Sequence, residues 1–335
     1  MSDRVTMADV AQDVGVSVMT VSRVVNDKGD VSAKTRQRVL DAIERLGYRP
    51  SAIARSLATR RTGTLGLVIP DVANPFFAEV ARGVEHVAYA EGYNVFLCNT
   101  DEDPQRELDI LESLEEKRVD GIVLCSSRLE NAHLRIVTES HGAVVLVNRT
   151  LHVDDATTAA VLVDDVAGGR MATEHLLSRG HRAIGFLSGP PGSRSGRGRV
   201  EGYRRTMGDA DLAIEPGWMR PCAPVAEAGR QAAHALLDTH PEITGLLCYN
   251  DLVAVGALQA CDARGCRVPD DLAVVGFDDI PLAELVTPAL TTCRIPRHEL
   301  GVRAVRLLLE QVEEGTNGHK EIVLHPSLVV RASAP

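Results

Sequence analysis

The sequence is poor in aromatic residues and has no long apolar run. Phe, Trp and Tyr make up 3% of the 335 residues, so aliphatic side chains have to build the core. No uninterrupted apolar stretch approaches the roughly 20 residues of a membrane span, and no signal-peptide-like segment opens the chain. The seven cysteines contain no CxxC pair, which argues against a zinc ribbon or a thioredoxin-type site. We expect reduced thiols and a cytoplasmic protein.

Catalytic signatures are missing as well. The glycine-rich stretch GPPGSRSGRG at 189–198 matches neither GxGxxG nor GxxxxGK[ST], so it is no nucleotide-binding fingerprint. There is no GxSxG elbow, no HExxH pair and no Cys/His cluster of metal-ligand spacing. We therefore expect a protein that is not an enzyme and that uses no cofactor or metal.

The residues from Thr6 to Asn26 predict two short helices joined by a tight turn. Thr6 is placed to cap the first helix, with Asp9 in the position of a capping box. Gly15 ends it, because glycine enters the left-handed conformation without steric cost, and Ser17 caps the second helix. Such a pair is typical of a helix-turn-helix, whose second helix enters the DNA major groove. Paired short helices also occur in all-α domains that bind no DNA.

Two further features favour DNA binding. A third helix, capped by Ser32 and ended by Gly47, completes a three-helix domain. Basic residues outnumber acidic ones in the range 1–62, whereas the whole chain carries a net charge of −10. An acidic protein with a basic amino-terminal module is suited to contact DNA phosphates through that module alone.

Two segments carry a specific resemblance. The runs MADVAQDVGVSVMTVSRVVN and VSAKTRQRVLDAIERLGYRPSAIARSLAT resemble the headpiece and hinge of LacI/GalR-family transcriptional repressors. Looser similarity continues through GRVEGY, YNDLVAVGAL and VVGFDDIPLAELVTPALTT. The resemblance implies a homodimer that represses transcription from a pseudo-palindromic DNA operator under the control of a small-molecule effector. It also implies the fold class: an N-terminal all-α helix-turn-helix headpiece and an α/β two-lobed periplasmic-binding-protein-like body with parallel sheets.

This organisation predicts domain boundaries. We expect a headpiece at 1–48, a hinge helix and linker at 49–62, and an effector-binding and dimerisation domain at 63–335. Alternating strand and helix patterns in the body predict parallel sheets with helices on both faces. The alternation restarts near residue 160, which predicts an N-lobe of about 63–160 and 291–320 and a C-lobe of about 161–290 and 321–335. Since no leucine-heptad tail follows the last strand, we expect a dimer rather than a tetramer.

The outward face of the second helix is the predicted DNA contact. We expect Arg23 to donate two hydrogen bonds to guanine, while Val18 and Met19 make apolar base contacts. In the hinge, the resemblance implies that Leu57 inserts into the minor groove as a wedge, and the small Ala54 lets two hinges approach. The alternative is that Leu57 ends an ordinary linker helix. Polar residues expected to contact phosphates are Thr6, Ser17, Thr20, Ser22 and Asn26.

The candidate effector-binding residues lie at predicted strand ends, where this architecture exposes polar groups to a cleft. The resemblance assigns effector contacts to Arg199 in GRVEGY and to Asp251 in YNDLV. Asp278 in GFDD is either a ligand contact or a turn residue. Further candidates, each with a structural alternative as a helix start, a core residue or an ion-pair partner, are Asn74, Phe76, Asp101, Arg149, Asp164 and Ser193.

Three positions favour a sugar or related polyol as the effector. Ser193 and Ser195 lie in the loop where purine-binding relatives carry a larger set of donors, and Pro224 falls where an aromatic residue often stacks on the ligand. The alternative is the same regulator responding to a nucleobase, a nucleoside or another metabolite. A solute-binding protein is a remote alternative, since it would share the body but lack the headpiece.

Overall fold

The computed structural model describes residues 5–26, 29–48, 61–151, 158–314 and 320–335. The chain divides into two compact units, Met1–Gly63 and Thr64–Pro335. Ala54 and Leu57 lie outside the described residues, so their hinge roles stay predictions. No helix in the described ranges is long and apolar enough to cross a membrane. The seven cysteines are all free thiols.

The described part of the first unit forms three helices, and their ends follow the sequence prediction. The capping box at Thr6 is formed in both directions with Asp9. Gly15 and Gly47 end their helices in the left-handed conformation, with φ of 70° and 65°. Serine side chains cap the other two helices by accepting backbone N–H bonds. The helices are α1 (Met7–Val14), α2 (Val18–Val25) and α3 (Ala33–Leu46).

Aliphatic residues spaced three or four apart give each of these helices one buried face. Full burial of a valine side chain contributes about 1.5–3 kcal/mol, so a core this small still orients three helices. Since α2 buries Val21 and Val24, its opposite face is left to solvent. The buried side chains are Val10, Ala11, Val14, Val21, Val24, Val39, Ala42 and Tyr48.

The second unit contains two sheets with helices on their faces. The strands of the first sheet are β1 (Thr64–Ile69), β2 (Asn94–Asn99), β3 (Gly121–Cys125), β4 (Val144–Val147), β5 (Ala159–Val163) and β11 (Glu321–Leu324). They are all parallel, in the order β11-β5-β4-β3-β1-β2. The helices of this part are α4 (Pro75–Ala90), α5 (Pro104–Glu116), α6 (Asn131–Ser140) and α12 (Arg297–Glu314).

The second sheet has a similar arrangement of strands and helices. Its strands are β6 (Ile184–Leu187), β7 (Met219–Arg220), β8 (Gly245–Cys248), β9 (Ala273–Asp278), β10 (Thr291–Arg294) and β12 (Ser327–Val329). Their order is β12-β10-β9-β8-β6-β7, and only the β10–β12 pair is antiparallel among the described pairs. The helices are α7 (Asp165–Ser178), α8 (Arg194–Asp209), α9 (Ala226–Thr239), α10 (Asp251–Ala263) and the short α11 (Leu282–Leu285).

Strand membership corrects the expected lobe boundaries. β5 pairs with β4 in the first sheet and does not open the second, and β11 pairs with β5. β10 lies beside β9 in the second sheet, although we expected this segment in the N-lobe. An alternation of strands and helices cannot reveal which sheet edge a strand joins, because that depends on pairing with distant segments. The chain therefore crosses between the sheets after β5, after β10 and after β11.

Glycines allow close helix pairs that position the site. On α7, a Cβ at Gly169 would lie 2.2 Å from the carbonyl oxygen of Arg199 on α8. Facing it, a Cβ at Gly202 would lie 2.2 Å from the carbonyl oxygen of Val166. Real Cβ atoms do not approach backbone this closely, so the two glycines are needed for this packing. Their contact brings the start of α8, which carries Arg199, against the start of α7.

Candidate functional site

The exposed face of α2 combines apolar and cationic side chains. Val18 and Met19 are 48% and 64% exposed, and Arg23 is exposed beside them. No carboxylate among the described residues forms an ion pair with Arg23. Two adjacent exposed apolar side chains next to a guanidinium that pairs with no carboxylate of the described residues suit contact with bases and phosphates. The geometry of α2 is thus compatible with the predicted role in DNA binding.

The polar residues predicted to contact phosphates mostly stabilise helix ends in the free protein. Thr6 and Ser17 are N-caps, and the Ser17 hydroxyl lies 2.9 Å from that of Thr20. Asn26 donates from Nδ2 to the carbonyl oxygen of Ser22, at 2.8 Å. These side chains remain at the surface, where DNA can reach them, but each already has an intramolecular hydrogen bond.

In the second unit, the carboxyl ends of strands from both sheets meet at a cleft with two adjoining cavities. The inner pocket has a volume of about 30 Å³ and the outer cavity about 860 Å³. The residues that line both cavities are Asn74, Glu102, Arg128 and Pro224. Ligands of open α/β sheets bind at this edge, so the cleft is the candidate effector site.

The second-sheet side of the inner pocket is built on Arg199. Its Nε donates to Asp165 Oδ1 at 3.0 Å, and its Nη2 lies 3.7 Å from Asp278 Oδ1. Its Nη1 donates to the carbonyl oxygen of Tyr249. The guanidinium carbon lies 3.6 Å from the ring centroid of Phe277, a cation–π contact. Burial alone would lower the pKa of Arg199, but the attraction of Asp165 and Asp278 outweighs it and raises the pKa.

Asp278 ends β9 in a conformation that is rare for a residue with a side chain. Its φ is 109°, and such strain is characteristic of functional sites. Burial raises the pKa of Asp278 to about 7, although Arg199 and Arg297 act to lower it. The predicted contact at Asp278 therefore lies in the pocket lining, as a carboxyl group that titrates near neutral pH.

Asp251 does not line the pocket, contrary to the effector contact expected for it. It is fully buried, and its Oδ2 accepts from the backbone N–H of Ile280 at 2.8 Å. Its Oδ1 accepts from the hydroxyl of Thr292 at 2.6 Å. Burial raises its pKa well above the usual range. Asp251 therefore holds the start of α10 to the second sheet, and its neighbour Asn250 lines the pocket instead.

The first-sheet side of the pocket is uncharged except for the Arg128–Glu102 pair. Asn74 caps α4 by accepting from the N–H of Phe76 at 2.9 Å, and both residues line the inner pocket. Asn148 directly follows β4 in a left-handed conformation, with φ of 53°. Its buried Oδ1 has no hydrogen-bond partner among the described residues. This acceptor is available to a ligand in the pocket.

The other predicted effector residues lie elsewhere. Asp101 lines only the outer cavity, where it pairs with Arg106. Arg149 donates to the carbonyl oxygen of Leu129 at 3.0 Å and to Asn131 at 2.8 Å, so it joins two loops.

Two further candidates are helix caps. Asp164 caps α7 by accepting from the N–H of Ala167 at 2.9 Å. Ser193 caps α8, and its hydroxyl lies 3.0 Å from that of Tyr249. Neither residue lines the inner pocket. Ser193 contacts Tyr249, and Tyr249 lines the inner pocket, so Ser193 acts on the site indirectly.

Sequence reasoning missed several pocket residues. Asn148 directly follows the buried strand β4, and Asn250 lies two residues past the end of the buried strand β8, a signal that was available in the sequence. Arg128 lies three residues past the end of β3, and no local pattern distinguishes it from a surface arginine. Among the described residues, no group of three or more His, Cys, Asp or Glu side chains is arranged to bind a metal ion.

Comparison with known families covers nearly the whole chain. Residues 6–51 match the lacI family of bacterial regulatory proteins. Residues 62–328 match the periplasmic binding proteins and sugar binding domain of the LacI family. These matches confirm the family resemblance drawn from the sequence.

Individual relatives align from end to end. The ribose operon repressor of Halalkalibacterium halodurans is 40% identical over 332 residues, which cover 97% of this chain and 96% of that protein. The HTH-type transcriptional repressor PurR of Haemophilus influenzae (strain PittEE) is 37% identical and covers 98% of each. The crystal structure of the lac repressor dimer bound to operator and the anti-inducer ONPF superposes with a TM-score of 0.87, at 28% identity and 99% coverage of each chain, which confirms the fold class. The chain belongs to the lacI family of bacterial regulatory proteins.

Proposed function

We propose that this DNA-binding repressor senses a neutral sugar or polyol, with D-ribose as the first candidate, in the inner pocket between its two sheets. One observation carries the proposal: polar side chains from both sheets converge on the pocket, and the buried Asn148 Oδ1 has no partner among the described residues. A buried acceptor without a partner is costly unless a ligand or water supplies a donor. Sugar hydroxyls are such donors. The similarity to a ribose operon repressor supports the choice of D-ribose.

The charges of the pocket favour an uncharged ligand. Arg199 is matched by Asp165 and Asp278. Arg128 is matched by Glu102. Every arginine that lines the inner pocket in the described structure thus has a carboxylate partner, and an added phosphate would bring an unpaired charge into a buried site. We therefore favour a free sugar over a sugar phosphate.

A thermal-shift screen of the purified full-length protein tests this proposal. We expect D-ribose or a related neutral sugar to raise the unfolding midpoint, because a ligand that binds only the folded state stabilises it by mass action. Sugar phosphates and purine bases serve as comparison ligands. A shift with a purine alone would contradict the sugar assignment and favour the nucleobase alternative. No shift with any ligand would contradict the effector site itself.

For the operator, we propose that α2 reads a major-groove half-site and that two headpieces of a homodimer bind a pseudo-palindromic DNA site. Support comes from the exposed Val18, Met19 and Arg23 and from the similarity to an operator-bound dimer. Effector binding would then shift the two sheets against each other and change operator affinity, with a coupling of about 1–3 kcal/mol. We place the protein in the cytoplasm, where its operator would be.

Replacement of Arg23 tests the operator contact. We expect Arg23→Ala to relax specificity at one base pair, because a bidentate arginine–guanine contact contributes about 1–3 kcal/mol of discrimination. The measurement is fluorescence anisotropy with operators selected from random sequences and their single-base variants. Arg45→Ala is the control, since Arg45 is exposed in the same unit but pairs with Asp13. Equal weakening on all sequences would make Arg23 a phosphate contact.

We also propose that the edge strand β2 forms part of the dimer interface. Phe96 and Leu97 on this strand are 46% and 47% exposed, and Val72, whose backbone N–H donates to Asn99 Oδ1 at the end of β2, is 50% exposed. An exposed apolar edge strand favours association with another chain. We expect Leu97→Glu to convert the dimer into a monomer in analytical ultracentrifugation. Val323→Glu is the matched control, because Val323 is 42% exposed on β11 at the opposite edge of the sheet. An unchanged dimer in Leu97→Glu would contradict this assignment.

A further inference from the structure

Arg128 is held in the wall between the two cavities. Its side chain is 10% exposed, and its Nε donates to Glu102 Oε2. Its backbone N–H donates to Glu107 Oε2 at 3.0 Å. Both glutamates belong, like Arg128, to the part of the chain that forms the first sheet and its helices. The backbone N–H and the Nε of Arg128 are therefore both fixed to the first-sheet side of the cleft.

The other end of Arg128 reaches the second-sheet side. Its guanidinium lies near the Tyr249 side chain, close enough for the two groups to interact electrostatically, and both residues line the inner pocket. Tyr249 follows β8, and its hydroxyl also lies 3.0 Å from that of Ser193. The tyrosine ring packs on Gly189, where a Cβ would lie 2.2 Å from the ring. Arg128 thus lies across the cleft from a tyrosine that Ser193 and Gly189 hold in place, and this Arg128–Tyr249 pair forms a bridge between the two sheets.

This bridge closes a space that a sugar needs. The inner pocket of about 30 Å³ has room for roughly one water molecule. A sugar ring is several times larger, so the two sides of the pocket have to separate when an effector enters. The contact between Arg128 and Tyr249 is among the cross-cleft contacts that must then break. The donor groups of Arg128 would be left facing the ligand.

We propose that Arg128 is a specificity-determining residue of the effector site. Its guanidinium binds two neighbouring hydroxyls of the sugar, and Tyr249 engages the guanidinium when the pocket is empty. The inference rests on the proposed function. The planar guanidinium presents two Nη groups in a fixed fork that fits a pair of adjacent oxygens. Because Glu102 already balances the charge of Arg128, the pair recognises a neutral diol and not an anion.

The test compares sugars that differ by one hydroxyl. Isothermal titration calorimetry of the full-length protein would use D-ribose, 2-deoxy-D-ribose and 3-deoxy-D-ribose, because any two neighbouring ring hydroxyls of ribose include that on C2 or that on C3. For the wild-type protein we expect at least one deoxy sugar to bind about tenfold more weakly, the usual scale for a hydrogen bond to a charged group. In Arg128→Met the ratio of the deoxy-sugar Kd to the D-ribose Kd falls towards one, and Arg128→Lys restores part of the difference.

Tyr249→Phe examines the bridge itself. Removal of the hydroxyl weakens the closed, empty state, and a larger fraction of the protein is then competent to bind. We expect D-ribose affinity to rise several-fold, with the preference over the deoxy sugars retained. Tyr203→Phe is the matched control, since the Tyr203 hydroxyl bonds to the Ile184 carbonyl oxygen away from the pocket. Lower D-ribose affinity in Tyr249→Phe would contradict the claim that the Arg128–Tyr249 bridge holds the empty pocket closed.

Two further variants keep the result interpretable. Glu102→Gln combined with Arg128→Met leaves no unpaired charge at position 102, so it covers the case in which the single variant does not fold. Arg106→Met removes an arginine that pairs with Asp101 at the outer cavity without lining the inner pocket, and we expect it to keep the wild-type ratio. A folded Arg128 variant with an unchanged ratio would overturn the inference. If the wild-type protein binds none of the three sugars, the proposed function fails, and the inference fails with it.

Discussion

The two sides of the inner pocket differ in the kind of polar group that they bury. On the second-sheet side, Arg199 forms ion pairs with Asp165 and Asp278, and all three are 7% exposed or less, although Asp165 Oδ2 has no hydrogen-bond partner among the described residues. On the first-sheet side, the acceptor of Asn148 has no partner among the described residues, and Arg128 reaches across the cleft. A buried charge network is costly to disturb, whereas an unpartnered amide can be removed at little cost. We infer that the second-sheet side maintains the fold and the first-sheet side is free to select the ligand.

The largest effect is expected for Arg199→Met. It leaves Asp165 and Asp278 buried without their cation, and breaking a buried ion pair on one side costs about 3–5 kcal/mol. Urea denaturation would measure the loss in the free energy of unfolding. Arg194→Met is the control, because Arg194 is 30% exposed and 3.6 Å from Asp165. It should cost less than about 1 kcal/mol. Similar losses in both variants would contradict the special role of the buried network.

The next largest effect is expected for Gly189→Ala. Gly189 has φ of 74°, and its new Cβ would lie 2.2 Å from the ring of Tyr249. Strain of this kind costs about 1–3 kcal/mol. Gly192→Ala in the same loop is the matched control, since no atom lies within 4 Å of the position of its Cβ. We expect a lower melting temperature for Gly189→Ala only. A normal melting temperature would mean that Tyr249 is free to move.

Asp278→Asn tests the charge of the second-sheet side. Burial raises the pKa of Asp278 from near 4 to about 7, so the folded protein holds a proton that the unfolded chain releases. The stability contributed by this carboxyl group is present at low pH and is lost as the pH rises through about 7. The stability of Asp278→Asn relative to wild type should therefore increase between pH 5 and pH 8, by on the order of 1–3 kcal/mol.

The control for this pH dependence is Asp271→Asn. Asp271 is exposed and bonds to Arg267, which lowers its pKa. Its contribution to stability is lost only as the pH falls below the usual range of a carboxyl group, so the difference from wild type should be flat between pH 5 and pH 8. Thermal unfolding at both pH values measures this. An equally flat result for Asp278→Asn would contradict a raised pKa at that residue.

The headpiece and the pocket also differ in how far the sequence predicts them. The helices of the headpiece begin and end at local signals, such as the Thr6 cap and the left-handed Gly15, so their bounds followed from a few neighbouring residues. In the pocket, local signals placed polar residues at strand ends but could not show which way each side chain points. Asp251 turns inward to Thr292, which lies 41 positions away in the sequence. Arg128 reaches the pocket only because two sheets are packed together.

The smallest effect on stability, with a clear effect on binding, is expected for Asn148→Gly. Glycine accepts φ of 53° without strain, and the lost side chain takes with it an acceptor that had no partner, so the free energy of unfolding should change by less than about 0.5 kcal/mol. D-ribose affinity should fall about tenfold, because one ligand hydrogen bond is lost. Asp211→Gly, at another left-handed position but outside the pocket, should change neither quantity. A variant that loses stability but keeps its affinity would reverse the assignment, because Asn148 would then support the fold like Arg199 on the opposite side.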